Sequence, residues 1–341
     1  MNNTMREIAE QLYRAENILL YPHVGIDGDA VGSCAAMARV LRKMGKTVYV
    51  LYSEDMPSNL NFMTYDDEGR PYFTNDANII SDEDLDISMC IDCGEYGRFK
   101  DFAEKFDKGK TTICVDHHET STGIAQFNYI DPLAAACGEL IYQLIIELND
   151  VKFLSTADPL LPDKTIGEML FAAITTDTGN FQYSNTTKQS HEIMAKLYDW
   201  GVDVNKISVE IYESERPEKI KIANRAFSNL VMVGNGKGAI AYVSHDDLEE
   251  IGVMAGETDP IVQKLRSIAG VEYAVFLKEK EPGEIRVSYR AKTVGNVCEL
   301  AMLHEGGGHI KASGCTLHNM SLLEAVEIIK KDVEEAIKNL D

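Results

Sequence analysis

Apolar residues in positions 4–16 recur with helical spacing, and Ile8, Leu12 and Ala15 share one face, which predicts an amphipathic helix. Asn17 to Pro22 (NILLYP) reads as a short buried strand, which breaks into the loop from His23 to Ser33. A helix follows through Ala35, Met37, Val40 and Leu41 and stops at Gly45-Lys46, with a second strand from Thr47 to Tyr52. The alternation continues with a strand at Ile87–Asp92, a helix at Arg98–Phe106 and a strand at Thr111–Asp116. Short apolar strands separated by helices of about ten residues mean βαβ units and a parallel sheet. Cys137 to Leu148 is helical, Ile166 to Thr176 is a long apolar segment ending at Asp177, and a helix spans Gln189 to Trp200. A polar stretch around Gly201–Arg216 follows, and from Pro217 the pattern changes. A helix at 218–230, strands at 231–243, 271–277 and 285–290, and helices near 259–269 and 321–339 describe a smaller α+β domain. The expected organisation is α/β: an N-terminal parallel-sheet domain over 1–203, a linker over 204–216 and a second domain over 217–341.

Composition narrows the function. The chain has 341 residues, and its formal net charge of −22 disfavours long nucleic acid and anionic membrane as partners. A small phosphorylated substrate stays open if local cations or metals invert the field inside one cleft. Seven cysteines without regular spacing do not form a disulfide framework, and Cys90 and Cys93 read as small buried thiols. The first residues hold no apolar signal core, and no run approaches the ~18 apolar residues of a membrane span. A reduced, soluble, cytoplasmic protein is expected.

The candidate chemistry sits where apolar runs end. Thr111-Thr-Ile-Cys-Val115 runs into Asp116-His117-His118, and His23-x3-Asp27-x-Asp29 follows the first strand on a loop that Gly25 and Gly28 let turn tightly. Asp92 ends a third strand and Asp177 a fourth apolar run. Taken singly, each is more often a cap or turn residue. Together they point to a metal site at the carboxyl edge of an open sheet. Oxygen ligands with two imidazoles suit manganese or magnesium better than structural zinc. Two such ions about 3.5–4 Å apart would clamp a hydroxide and a phosphoryl oxygen, with His118 left to act on the leaving oxygen or the phosphoryl group.

A second polar centre lies near the C-terminus. Period-two alternation puts Arg286, Ser288 and Arg290 on one face of a strand, and guanidinium groups there can meet a phosphate bidentately. Gly306, Gly307 and Gly308 expose backbone N–H groups to an anion or a base, and His309 adds a titratable donor. Arg98 is a further candidate for the phosphate, and equally a plain surface residue.

In this order, His23-x3-Asp27-x-Asp29, Asp92, Asp116-His117-His118 and Asp177 resemble the successive motifs of the DHH phosphoesterase superfamily. Glu305-Gly-Gly-Gly-His309-x3-Ser313-Gly314 resembles the glycine-rich motif of its DHH-associated C-terminal domain. In length and domain pairing the chain is most similar to the bifunctional oligoribonuclease and 3′-phosphoadenosine-5′-phosphate (pAp) phosphatase branch. The resemblance implies an active site in the cleft between the domains. It implies one ion on His23, Asp27 and Asp92 and a second on Asp29, Asp92, His117 and Asp177, with Asp92 bridging. Asp116 would orient a histidine and His118 would contact the scissile phosphate. The expected substrates are short oligoribonucleotides, pApA-type dinucleotides included, or a nucleoside bisphosphate. A pyrophosphatase or single-strand exonuclease of the same superfamily, and a non-catalytic nucleotide sensor, are the alternatives. A homodimer is compatible with the sequence.

Overall fold

A computed structural model describes residues 2–156, 159–254 and 256–340. The chain divides into two compact units, Met1–Ser214 and Glu215–Asp341.

In chain order the first unit comprises α1 (Met5–Arg14), β1 (Asn17–Tyr21), α2 (Gly28–Lys43), β2 (Thr47–Leu51), β3 (Phe73–Thr74), β4 (Ile87–Ile91), α3 (Ala103–Phe106), β5 (Thr111–Asp116), β6 (Phe127–Ile130), α4 (Cys137–Thr156), α5 (Lys164–Asp177), α6 (Lys188–Asp199) and α7 (Val204–Tyr212). The six strands form one parallel sheet in the order β3-β2-β1-β4-β5-β6. Strand alternation sorts the central side chains onto two faces. Ile18, Leu20, Met89, Ile91, Ile113 and Val115 belong to a core with residues of α2, α4 and α5. Leu19, Tyr21, Cys90 and Cys114 pack instead with Phe99, Phe102 and Phe106. Both faces are covered, so the strands read as continuous apolar runs.

Register brings the chemistry together. Tyr21 pairs with Cys90, and Ile91 with Val115, so β1, β4 and β5 end level. His23, Asp92 and the Asp116–His118 triplet therefore leave the sheet at one edge. On the helical side, α2 and α5 approach at Gly32, where an added Cβ would lie 3.0 Å from Ala173 N. At Gly138 a Cβ would lie 2.7 Å from Ala173 Cβ, so α4 closes against α5 in the same way. Small residues at these crossings let Asp29 of α2 and Asp177 of α5 converge.

Three expectations change. The segment expected as a helix at Arg98–Phe106 is a 3-10 stretch, Tyr96–Phe102, followed by the single turn α3. Phe99 leaves helical geometry at φ −138°. Its ring packs 5.8 Å from Tyr21 and 5.2 Å from Phe106 beneath the sheet, so aromatic burial overrides a regular helix. The expected linker at 204–216 is largely α7, whose Ile207 and Ile211 are buried in the first unit's core. Its polar positions are one wet helical face, not a loop. The strand β6 was not expected; its residues are only half-buried, and its backbone is partnered by the N-terminal segment, with Asn3 N–H donating to Asn128 O at 2.7 Å.

The second unit runs α8 (Pro217–Ser228), β7 (Val231–Val233), β8 (Gly238–Val243), α9 (His245–Ile251), α10 (Asp259–Arg266), β9 (Tyr273–Glu281), β10 (Glu284–Ala291), α11 (Val297–Met302), β11 (Gly307–His309), β12 (Ala312–His318) and α12 (Leu322–Lys338). Its mixed sheet is ordered β11-β12-β10-β9-β8-β7, with α12 packed on one face. All seven cysteines are free, and six of them are buried. Among the described residues no helix is long and apolar enough to cross a membrane.

Candidate metal centre

The site is built from chain turns at the carboxyl edge of the first sheet. His23 leaves β1 and is 4 % exposed. Its Nδ1 lies 2.9 Å from Val24 O, a contact that calls for N–H at Nδ1 and aims Nε2 inward. Nε2 lies 3.7 Å from Asp27 Oδ2 and 3.5 Å from Asp92 Oδ2. Asp27 is the N-cap of α2, its Oδ1 accepting from the Asp29 and Ala30 N–H groups, which leaves Oδ2 for the site.

Asp29 follows in the first turn of α2 and is buried. Its Oδ2 accepts from Cys137 N–H at 2.6 Å and its Oδ1 from Gly138 N–H at 2.8 Å and Ser33 Oγ at 3.2 Å. One carboxylate thus caps the start of α4, where the helix offers unsatisfied N–H groups. Ser33 lies one turn after Asp29; the sequence places it beside the carboxylate, although no role for it was anticipated.

His117 repeats the arrangement of His23. Its Nδ1 lies 3.2 Å from Ala134 O, while Nε2 faces Asp92 Oδ1 at 3.4 Å, Asp177 Oδ2 at 3.7 Å and Asp29 Oδ2 at 3.8 Å. Asp92 stands between the two imidazoles in the left-handed backbone region, at φ 61°. Few side chains other than Asn and Asp visit that region readily, and held there it aims both oxygens into the cluster. Its buried Oδ1 has no hydrogen-bond donor.

His118 is different. Asp116 Oδ1 accepts from His117 N–H at 2.8 Å, from His118 N–H at 3.3 Å and from His118 Nδ1 at 2.8 Å. His118 Nδ1 is therefore engaged, and its Nε2 is the atom that remains to meet a substrate. The ring is half-exposed, unlike that of His23.

The electrostatics follow from crowding carboxylates around imidazoles. Burial alone pushes His23 and His117 down, but the hydrogen bonds and charges of the surrounding aspartates outweigh it and hold each up to about 10. Burial, with Asp92 and Asp177 beside it, pushes Asp29 well above the usual carboxylate range. Asp177 is raised to about 6, mainly by burial. These are carboxylates short of positive charge.

Three overlapping groups have ligand atoms within 4.8 Å of one another: His23, Asp27 and Asp92; Asp29, His117 and Asp177; and Asp92, His117 and His118. The donor set of hard oxygens and borderline nitrogens fits divalent ions such as manganese or magnesium. Asp92 Oδ1 supplies an independent fit: it is buried without a well-formed hydrogen bond, with only the His117 and His118 rings at 3.4 and 3.7 Å, and so is free to accept a cation. All six candidate ligands are brought together.

The second unit has its own cationic face. Along β10 burial alternates, with Ile285, Val287 and Tyr289 in the core and Arg286, Ser288 and Arg290 on the opposite side. Lys278 of β9 is the cross-strand neighbour of Arg286 and donates to Thr258 Oγ1 at 2.9 Å. Burial pulls Arg290 down, as does Arg266 nearby. The sequence reading missed Lys278 and Arg266; the expected strand stopped at 277, and Arg266 comes close only through the fold. Gly307–His309 is an edge strand paired with β12, not a free loop. A Cβ at Gly308, at φ 136°, would lie 2.7 Å from Ala312 O, whereas Gly307 faces open space. Arg98 lies in the first unit, its carbonyl accepting from Val24 N–H beside His23, and its guanidinium has no ion-pair partner among the described residues.

Residues 17–174 match the model of the DHH family, N-terminal domain, and residues 235–339 match the DHHA1 domain. The chain carries a DHH-family N-terminal domain and a DHHA1 domain. It is 28% identical over 335 residues to the bifunctional oligoribonuclease and PAP phosphatase NrnA of Thermus thermophilus, covering 98% of this chain and 94% of that protein. A Bacillus subtilis protein of the same name is 26% identical over 315 residues, covering 92% of this chain and 93% of its own length. The crystal structure of an exopolyphosphatase-related protein from Bacteroides fragilis shares the fold at a TM-score of 0.85 and 21% identity, over 98% of this chain and 97% of that one.

Proposed function

We propose that this chain is a phosphoesterase dependent on two divalent ions, manganese for preference, that hydrolyses short oligoribonucleotides to mononucleotides in the cytoplasm. Removal of the 3′-phosphate of pAp is assigned to the same site. The observation that carries the reading is Asp92, shared by the His23 and His117 groups with a buried oxygen that lacks a donor. One ion is assigned to His23, Asp27 and Asp92, and the other to Asp29, Asp92, His117 and Asp177. Bound there, the ions would lower the pKa of water and neutralise charge on the phosphoryl group.

The protein's own groups do the rest. Asp116 holds His118 through Nδ1, so that Nε2 can hand a proton to the leaving oxygen. Asp29 and Asp27, tied to the N-termini of α4 and α2, fix ligand positions before substrate arrives. Arg290 and Arg286, with Gly306–His309, are assigned to contacts with substrate phosphate. Arg98 is assigned to the phosphate nearer the metals. A net charge of −22 works against binding a long strand, which favours short RNA over single-strand exonuclease work.

The test incubates the protein and manganese with a 5′-labelled RNA dimer, a long RNA, pAp and pyrophosphate, beside Asp92→Ala. Cleavage of the dimer that disappears in the variant supports the reading. Preference for pyrophosphate or for the long RNA overturns it.

A further inference from the structure

Asp116 uses one oxygen heavily and the other not at all. Oδ1 takes three donors from His117 and His118, while Oδ2 is buried without any. Three residues past His118 the chain turns back, with Ser121 N–H donating to His118 O at 3.1 Å. The Ser121 Oγ is also buried and also lacks a partner. Gly94, buried in the loop after Asp92, connects these two facts. A Cβ built on it would land on Ser121 Oγ, 2.6 Å from Ser121 Cβ and 2.7 Å from Asp116 Oδ2. Both orphaned oxygens thus border one small space, which exists only because residue 94 has no side chain.

A buried hydroxyl and a buried carboxylate oxygen facing one space satisfy each other at little cost, and each is expensive to leave alone. We infer that Ser121 is a positioning residue: its hydroxyl donates to Asp116 Oδ2 and so fixes the carboxylate that holds His118. With donors at Oδ1 only, the carboxylate could swing about its Cβ–Cγ bond and carry the His118 ring with it. A donor at each oxygen pins the plane. Gly94 is required as glycine because any side chain there would expel the hydroxyl. The inference rests on the reading of His118 as the group that acts on the leaving oxygen.

The test uses the full-length protein with manganese and an RNA dimer. Ser121→Ala should lower kcat about tenfold, in the range typical of removed supporting partners. KM and manganese affinity should stay within about twofold of wild type, while the melting temperature should fall by a few degrees because the buried Asp116 Oδ2 loses its donor. Gly94→Ala should lower kcat to the same degree, and the double variant should lose no more than Gly94→Ala alone, since both changes remove one bond. In the metal-free protein, nitrogen-detected NMR of the His118 ring should show an Nδ1–H signal that broadens in Ser121→Ala. Should Ser121→Ala fail to fold, Ser121→Thr, which keeps the hydroxyl, must retain wild-type kcat. A kcat within twofold of wild type, additive losses, a matching loss of manganese affinity or an unchanged His118 signal would each overturn the assignment. If the wild type leaves the dimer intact, the substrate reading fails, and the NMR comparison still decides the role of Ser121.

Discussion

Manganese entering the metal-free protein should expel protons, and its affinity should climb with pH through the neutral range. His23 and His117 are each held up to about 10 without metal, against an ordinary value of 6.5. Burial works against this, and Asp27 and Asp92 around His23, with Asp92, Asp29 and Asp177 around His117, overcome it. At pH 7.5 both rings therefore carry a proton that a coordinated imidazole must give up. A raised pKa favours the protonated ring, so apparent affinity is weakest at low pH and improves about tenfold per unit for each proton expelled. Between pH 6.5 and 8.5, well below the ring values, each ligand set should gain about a hundredfold. Below pH 6 the Asp177 carboxylate, raised to about 6, takes up a proton as well and steepens the decline of the His117 set. Isothermal titration of manganese in two buffers of different ionisation enthalpy counts the protons directly. About one per ion is expected at pH 7.5, and His23→Gln should abolish the release from one set only. Affinity that is flat with pH, or a proton count near zero, would show that the rings are neutral and that the aspartates do not hold them as described.

Other outcomes follow from the same geometry. Asp29→Ala, measured by thermal melting in chelator, should cost about 2–4 kcal/mol, because it orphans the buried Cys137 and Gly138 N–H groups while relieving a strained carboxylate. Asp27→Ala loses an exposed cap and should cost about 1 kcal/mol; equal melting of the two variants would refute the distinction. Glu272 accepts from Thr293, Val294 and Gly295 N–H, each at 2.8 Å, and from Thr293 Oγ1. Burial tends to raise its pKa, but these donors hold it below the usual range. Its stabilisation is therefore present above the unfolded pKa and fades as pH falls through the folded one. Glu272→Ala should destabilise the second unit by about 3 kcal/mol at neutral pH and by less once pH falls through the folded pKa of Glu272, with faster amide exchange over residues 292–302 as the check. Arg290→Ala should raise KM for the RNA dimer about tenfold with kcat within twofold; an unchanged KM would remove Arg290 from the substrate.

The chain by itself determined the four central strands of the first sheet and the identity of the candidate ligands. Strands such as Ile87–Ile91 are buried on both faces and so read as unbroken apolar runs, and a polar residue that ends such a run must emerge at the sheet edge. That made His23, Asp92 and His117 legible one by one. The alternation along Ile285–Arg290 made the cationic face of β10 legible for the same reason. Tertiary structure decided everything that depends on distance between distant segments. The level ends of β1, β4 and β5 and the glycine crossings of α2, α4 and α5 turn separate residues into one cluster. No local pattern could reveal that Asp29 caps α4 108 residues away, or that Gly94 leaves a space shared by Ser121 and Asp116. The polar face of α7 disguised it as a linker, and aromatic packing under the sheet broke the helix expected at Arg98–Phe106. Periodicity records which face of an element is dry; packing alone decides which dry faces meet.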